Sequence, residues 1–177
     1  MAAMPIEHAE VSTSAEGFAG FYRANLPMVY GYLLRLSGGD RALAEDLTQD
    51  TWFELVRQLA HGHTECADIR WLLTVARSRY IDWARRERRS ATKLALLHSP
   101  TGNTVDDDRD DPDRDEVLMM LADVQPLHRA VLMMRYVEEM SIPLIAEAIG
   151  RNISATNSLL ARARAELRRE GREVRDG

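Results

Sequence analysis

The chain has 177 residues, of which 45% are apolar and 29% charged, with a formal net charge of −5. That is enough apolar material for one or two small packed domains, and no apolar run approaches the ~18 residues of a membrane span. The single cysteine, Cys66, excludes an internal disulfide framework and fits a reducing cytoplasm; residues 1–14 lack the basic-then-apolar pattern of a signal peptide; few aromatics and little alternation argue against an all-β fold.

The charge is unevenly spread. Residues 1–13 carry −2, 14–93 carry +2, 94–116 carry −6 and 117–177 carry +1. The acidity therefore belongs to one stretch, which contains Ser99-Pro100-Thr101-Gly102-Asn103 and then Asp106-Asp107-Asp108-Arg109-Asp110-Asp111-Pro112-Asp113. Pro, Gly and a run of like charges bury too little apolar surface to offset chain entropy, so this stretch is expected to be a flexible linker between two helical domains. The division expected is a disordered segment at 1–14, a domain at 15–92, an acidic linker at 93–114, a second domain at 115–170 and a tail at 171–177.

In chain order, residues 18–36 show a helical apolar stripe. Ser37-Gly38-Gly39 stops it, and Asp40 is placed to cap the next helix. That helix spans 42–59, with Leu43, Leu47, Thr51, Leu55 and Leu59 facing inward at steps of four, and His61-Gly62-His63-Thr64 ends it. A third helix runs from 69 to about 89, with Leu72, Val75, Ala76 and Tyr80 as its core face and four arginines at its end. Beyond the linker, a short helix is expected at 117–123 and another at 126–137, with Pro126 in its first turn. Ser141 is placed to cap a helix over 142–149, Gly150-Arg151-Asn152 makes a turn, and a long helix follows over 154–169 with Thr156, Leu160, Ala163 and Leu167 inward.

Three surfaces stand out. Asp46, Gln49, Asp50 and Phe53 fall at i, i+3, i+4 and i+7 on one outer helix face, flanked by Trp52. This is either a solvated face or a docking surface for a positively charged partner. The third helix interleaves Trp71, Tyr80 and Trp83 with Arg77, Arg79, Arg85 and Arg86, a pattern that suits unpaired nucleic acid, although the aromatics also suit a core. Two helices joined by a Gly-containing turn, the second basic, match a helix-turn-helix whose exposed Asn157, Ser158, Ala161, Arg162 and Arg164 suit duplex DNA. The competing reading there is a plain helical hairpin. His61, His63 and Cys66 supply three ligands of the four a zinc site usually needs, so neither a metal nor another cofactor is expected, and no nucleophile–base pair suggests an enzyme.

Ala44-Glu45-Asp46-Leu47-Thr48-Gln49-Asp50-Thr51-Trp52, Trp71-Leu72-Leu73-Thr74-Val75-Ala76-Arg77 and Asp82-Trp83-Ala84-Arg85-Arg86 resemble the second conserved region of bacterial sigma factors. Tyr136-Val137-Glu138-Glu139-Met140-Ser141, Ile145-Ala146-Glu147-Ala148-Ile149-Gly150 and Arg162-Ala163-Arg164 resemble their fourth region. With no third region between them, the layout resembles the extracytoplasmic-function (ECF) class. The resemblance implies an all-α, non-enzymatic transcription initiation factor of the cytoplasm. Its implied partners are core RNA polymerase, through the β′ clamp helices, and promoter DNA, with an anti-sigma factor in many members and no membrane. By the same resemblance, Asp46, Gln49, Asp50, Trp52 and Phe53 bind core polymerase. His63, Thr64, Glu65, Cys66, Arg77, Ser78, Arg85 and Arg86 hold the unpaired −10 strand, and Asn157, Ser158, Ala161, Arg162 and Arg164 read the −35 duplex. The acidic linker would thread into the polymerase cleft.

The chain departs from the family pattern in places. Ser78 stands where Asn is common, Asn157 and Leu159 stand where Lys or Arg is common, and Pro143 replaces an aromatic or polar residue. Fewer bases imply weaker phosphate contact at −35. Two other functions remain open on these residues: a helix-turn-helix regulator that makes no core contact, and a degenerate sigma-like protein that only binds other proteins.

Overall fold

A computed structural model describes residues 15–95, 121 and 123–173. Among these residues the regular structure is helical: α1 (Ala15–Ser37), α2 (Arg41–Ala60), a 3₁₀ turn (Thr64–Cys66), α3 (Ile69–Ala95), α4 (Pro126–Leu132), a π-helical turn (Met133–Val137), α5 (Ile142–Ala148) and α6 (Ile153–Glu173). No helix among them is long and apolar enough to cross a membrane. Most of the acidic stretch at 94–116 and of the helix expected over 117–123 lies outside the described residues.

The stops and caps are where local chemistry demands them. Gly38 and Gly39 take φ of +69° and +89°, and their N–H groups donate to the carbonyls of Arg35 and Leu34, closing the end of α1. The Asp40 carboxylate accepts from the Leu43 N–H at 3.0 Å and so caps α2. Ser141 occupies the cap position of α5 with extended backbone, but its hydroxyl makes no capping bond. The side chain that caps α6 is Asn152, which accepts from the Ala155 N–H at 2.8 Å. That bond starts the helix at Ile153, one residue earlier than apolar periodicity suggests. α3 and α6 also run past their expected ends, to Ala95 and Glu173.

The inward faces follow the periodicity. Leu47, Thr51 and Leu55 of α2 are buried, as are Leu72, Ala76 and Tyr80 of α3 and Thr156, Leu160 and Ala163 of α6. Leu159 is a correction. It is 0% exposed, so it belongs to the core and its side chain is not where a phosphate-contacting base would project. Trp71 is partly buried against the core, and Tyr80 is fully buried with Trp83 at 5.5 Å.

One feature was not legible in the sequence. α4 packs against α1 and α3, so the two helical halves share a continuous apolar core instead of standing apart. Polar contacts line the seam between them. Arg129 of α4, 4% exposed, reaches across and donates to the Leu36 carbonyl at 3.1 Å, at the end of α1, and to Val124 O at 3.1 Å. Its burial pulls the guanidinium below the ordinary arginine range. Tyr80 donates to the Pro126 carbonyl at 3.2 Å, and burial pushes its phenol up to about 12. Glu138 accepts from Tyr32 at 2.9 Å and pairs with Arg77 at 2.5 Å. Arg85 donates to the Ile149 carbonyl.

Candidate functional site

The α2 face begins with helical spacing. Asp46, Gln49 and Asp50 are exposed and Phe53 is 63% exposed, so four of the five expected polymerase-facing residues share one accessible face. Trp52 does not join them at the surface. It is 5% exposed, with Tyr22 packed at 4.7 Å and Phe18 and Phe21 edge-on beyond it. Its place one residue before Phe53 turns it about 100° around the helix, into the α1–α2 contact. Trp52 instead lines a groove of about 700 Å³ between α1 and α2, together with Tyr22, Leu26, Pro27, Tyr30, Asp46, Gln49 and Phe53. The groove also includes Thr48, and neither the Thr48 hydroxyl nor the Trp52 indole N–H has a hydrogen-bond partner among the described residues. The α1 wall of this groove was missed from sequence because the α1 stripe read only as core. The available hint was Met28, an apolar residue off that stripe, which the structure leaves 54% exposed.

The loop after α2 presents His63, Thr64 and Glu65 to solvent, with His63 Nδ1 3.3 Å from the Glu65 carboxylate. Cys66 is buried beneath them, and that burial raises its thiol pKa, with Glu65 and Glu54 adding to the effect. It therefore does not share their surface. The Gly62 φ of +85° allows the reversal that displays this loop. His61 Nδ1 lies 2.7 Å from the Arg57 carbonyl. Among the described residues, no three His, Cys, Asp or Glu side chains converge as metal ligands would.

On α3, Ser78 and Arg86 are exposed, the latter with its Nε donating to Asp82 O at 3.2 Å. Arg77 and Arg85 are corrections to a simple basic face. Arg77 is clamped by Glu138 and also lies 3.2 Å from the Met140 sulfur, and Arg85 is drawn onto the Ile149 carbonyl. Both are held by the other half of the molecule, a placement that needs tertiary contacts more than 60 residues apart.

The second half has the geometry of a helix-turn-helix. Ala146 is buried at the α5–α6 crossing, and Gly150 makes the turn at φ +57°. Asn157, Ser158, Ala161, Arg162 and Arg164 are all exposed, while Thr156, Leu159, Leu160 and Ala163 hold the opposite face. The expected readers thus lie together on one outward face of α6. α6 is anchored to α4 through Glu166, which pairs with His128 and accepts from the Gln125 N–H at 2.9 Å.

Comparison with known proteins agrees with this arrangement. Residues 21–90 match the family model for sigma-70 region 2, and residues 114–167 match that for sigma-70 region 4. The chain is 30% identical over 162 residues to the RNA polymerase sigma factor YlaC of Bacillus subtilis, covering 88% of this chain and 92% of that one. The chain belongs to the sigma-70 family. It is also 35% identical over 156 residues to the ECF RNA polymerase sigma factor SigL of Mycobacterium tuberculosis, covering 80% of this chain and 84% of the relative. A chain in the co-crystal structure of the sigma factor RpoE with the anti-sigma factor NepR from Bartonella quintana shares the fold, with a TM-score of 0.56 at 19% identity over 89% of this chain and 98% of that one. This sigma factor is of the ECF type: a non-enzymatic initiation factor that binds core RNA polymerase and promoter DNA.

Proposed function

We propose that residues 15–92 and 115–170 divide promoter recognition between them, acting in the cytoplasm. Asp46, Gln49, Asp50 and Phe53, with Trp52 as the wall of the adjoining groove, dock on the β′ clamp helices of core polymerase. The observation that carries this reading is the exposed acid–amide–aromatic face beside an apolar groove. Such a face offers a partner both an apolar anchor and charge complementarity. His63, Thr64 and Glu65, with Ser78 and Arg86, hold the unpaired −10 strand, where bases are reachable outside the duplex. Cys66 supports that loop from beneath. Asn157, Ser158, Ala161, Arg162 and Arg164 read the −35 duplex from the major groove.

Arg77 and Arg85 contribute to −10 binding only once the two halves separate, since each is held across the seam. Holoenzyme formation is then a population shift from a closed to an open molecule, driven by the greater affinity of core and promoter for the open form. An anti-sigma factor that prefers the closed form would oppose that shift.

Run-off transcription with purified core tests the reading. Wild-type chain is expected to give promoter-dependent transcripts, and the double substitution Asp46→Ala and Gln49→Ala to weaken holoenzyme assembly roughly tenfold or more, as loss of two interface contacts does. Full core binding by that double variant would refute the docking assignment.

A further inference from the structure

Glu54 serves neither the outer face of α2 nor its apolar core. A helix advances ~100° per residue, so Trp52 and Glu54 turn away from the exposed Phe53 in opposite senses. Trp52 goes to α1 and Glu54 to α3. The Glu54 side chain is 11% exposed, and three donors share its carboxylate. Oε1 accepts from Gln58 Nε2 at 2.7 Å and from Arg57 Nη2 at 2.8 Å. Oε2 accepts from Arg79 Nη2, on α3, at 2.8 Å.

Gln58 carries this connection into the loop after α2. Its side-chain amide is held by Glu54, and its carbonyl accepts from the His61 and His63 N–H groups, both at 3.0 Å. That loop has little apolar anchorage of its own: His63, Thr64 and Glu65 are exposed, and Cys66 is the buried residue of its 3₁₀ turn. Cys66 is near enough to Glu54 for the carboxylate charge to help raise its thiol pKa. On α3 the partner is Arg79, the residue after the exposed Ser78. One carboxylate thus joins the end of α2 to α3 directly and to the loop through Gln58. The apolar core already packs α2 on α3, with Leu55, Leu72 and Ala76 all buried. A bridge whose arginine side chain is 38% exposed adds only modestly to that cohesion. What a carboxylate fixed by several charge-assisted bonds supplies is direction, the property a recognition loop needs from the residues behind it.

We propose that Glu54 is a positioning residue for promoter recognition: through Gln58 and Arg79 it sets the aim of His63, Thr64 and Glu65 against α3, and with it the base preference for the unpaired strand. This rests on the −10 reading given above. It also fixes the sign of an effect. By charge alone, neutralising an acid close to bound DNA strengthens binding to a polyanion. Removing a positioning residue weakens binding to the preferred strand and blurs the choice of base.

The test uses holoenzyme reconstituted from the full chain and purified core, presented with a single-stranded DNA pool containing one randomised stretch. Sequencing the bound strands gives the base preference, and titration of the preferred strand gives its affinity. Glu54→Gln is expected to flatten the preference and to weaken the preferred strand roughly tenfold, as loss of a charge-assisted hydrogen bond does, with affinity for core unchanged. Arg79→Ala should do the same, and the double variant should lose no more than either single one, because each cuts the same connection. Arg79→Lys, which keeps a cation for Oε2, should recover most of the loss. Hydrogen exchange on the Glu54→Gln chain, without core or DNA, should quicken at residues 61–66. Unchanged preference, tighter binding by Glu54→Gln, additive losses or unchanged exchange would each overturn the proposal. A wild-type holoenzyme with no base preference would refute the −10 reading and this proposal together, whereas a clear wild-type preference that Glu54→Gln leaves intact would refute this proposal alone.

Discussion

Gly38 stands where a β-carbon would lie 2.3 Å from Arg129 Nη1, and its φ is +69°. Two constraints therefore meet at one residue: a left-handed backbone and the seat of a buried guanidinium. Gly39, at φ +89°, shares the first constraint but faces open space. Gly38→Ala is expected to cost clearly more stability than Gly39→Ala, by roughly 1–3 kcal/mol against about 1 kcal/mol. Urea denaturation of both variants measures the difference, and equal losses would mean that Arg129 adjusts without penalty. Glu54 poses a different residue-scale question. It accepts from Gln58 at 2.7 Å and from Arg57 at 2.8 Å, and it ties α2 to α3 through Arg79 at 2.8 Å. The hydrogen bonds from Gln58 and then Arg57, with the positive charges of Arg57 and Arg79 adding to them, hold its carboxyl below the ordinary range. A lowered folded-state pKa contributes stability that is present above the ordinary carboxylate range and lost as pH falls through the lowered value. Glu54→Gln should therefore flatten the acid limb of melting temperature against pH, below about pH 4, and change the neutral limb little in shape.

At the scale of elements, much was readable because helix chemistry is local. Gly38-Gly39 and Asp40 mark the α1–α2 junction through groups within four residues of each other, and the inward stripes of α2 and α6 follow from a period of 3.6. What local reading missed at this scale is also instructive. Asn152 caps α6 while Ser141 makes no cap bond, because capping depends on side-chain aim as well as residue type. Asn152→Ala is expected to destabilise the fold by about 1 kcal/mol and, on the proposed −35 role of α6, to weaken duplex binding by loosening its start. Ser141→Ala should be nearly silent by comparison, and thermal melts of the two variants decide it. Leu159 belongs here too. A position that a family pattern marks for a base is filled by a fully buried leucine, so its departure concerns packing and leaves the exposed row of α6 unchanged.

At the scale of the whole molecule, the seam is the dominant feature. Glu138 is aimed at Tyr32 and Arg77 from a turn in which the next residue, Glu139, takes a φ of +54°, uncommon for a residue with a side chain. Removing one partner of such an enclosed ion pair leaves the other charge uncompensated. Glu138→Ala is expected to shift the chain toward the open form. A dye pair on exposed positions of α1 and α5 would report a larger mean separation, and single-stranded −10 DNA should bind more tightly as Arg77 is released. An unchanged separation would mean that Arg129 and the apolar contacts of α4 hold the halves together without Glu138.

The sequence by itself determined that this protein is helical, where α1 stops and α2 starts, which faces are buried and to which family it belongs, because each of those is written in contacts between residues a few positions apart or in motifs read as strings. The tertiary structure alone decided that Trp52 and Cys66 lie beneath their surfaces, that Arg77 and Arg85 are held across a seam, and that Arg151 faces three other cations. Those facts depend on how α4 and the α5–α6 turn come to rest on α1 and α3. That docking joins residues 60 to more than 100 positions apart, and no local periodicity encodes it.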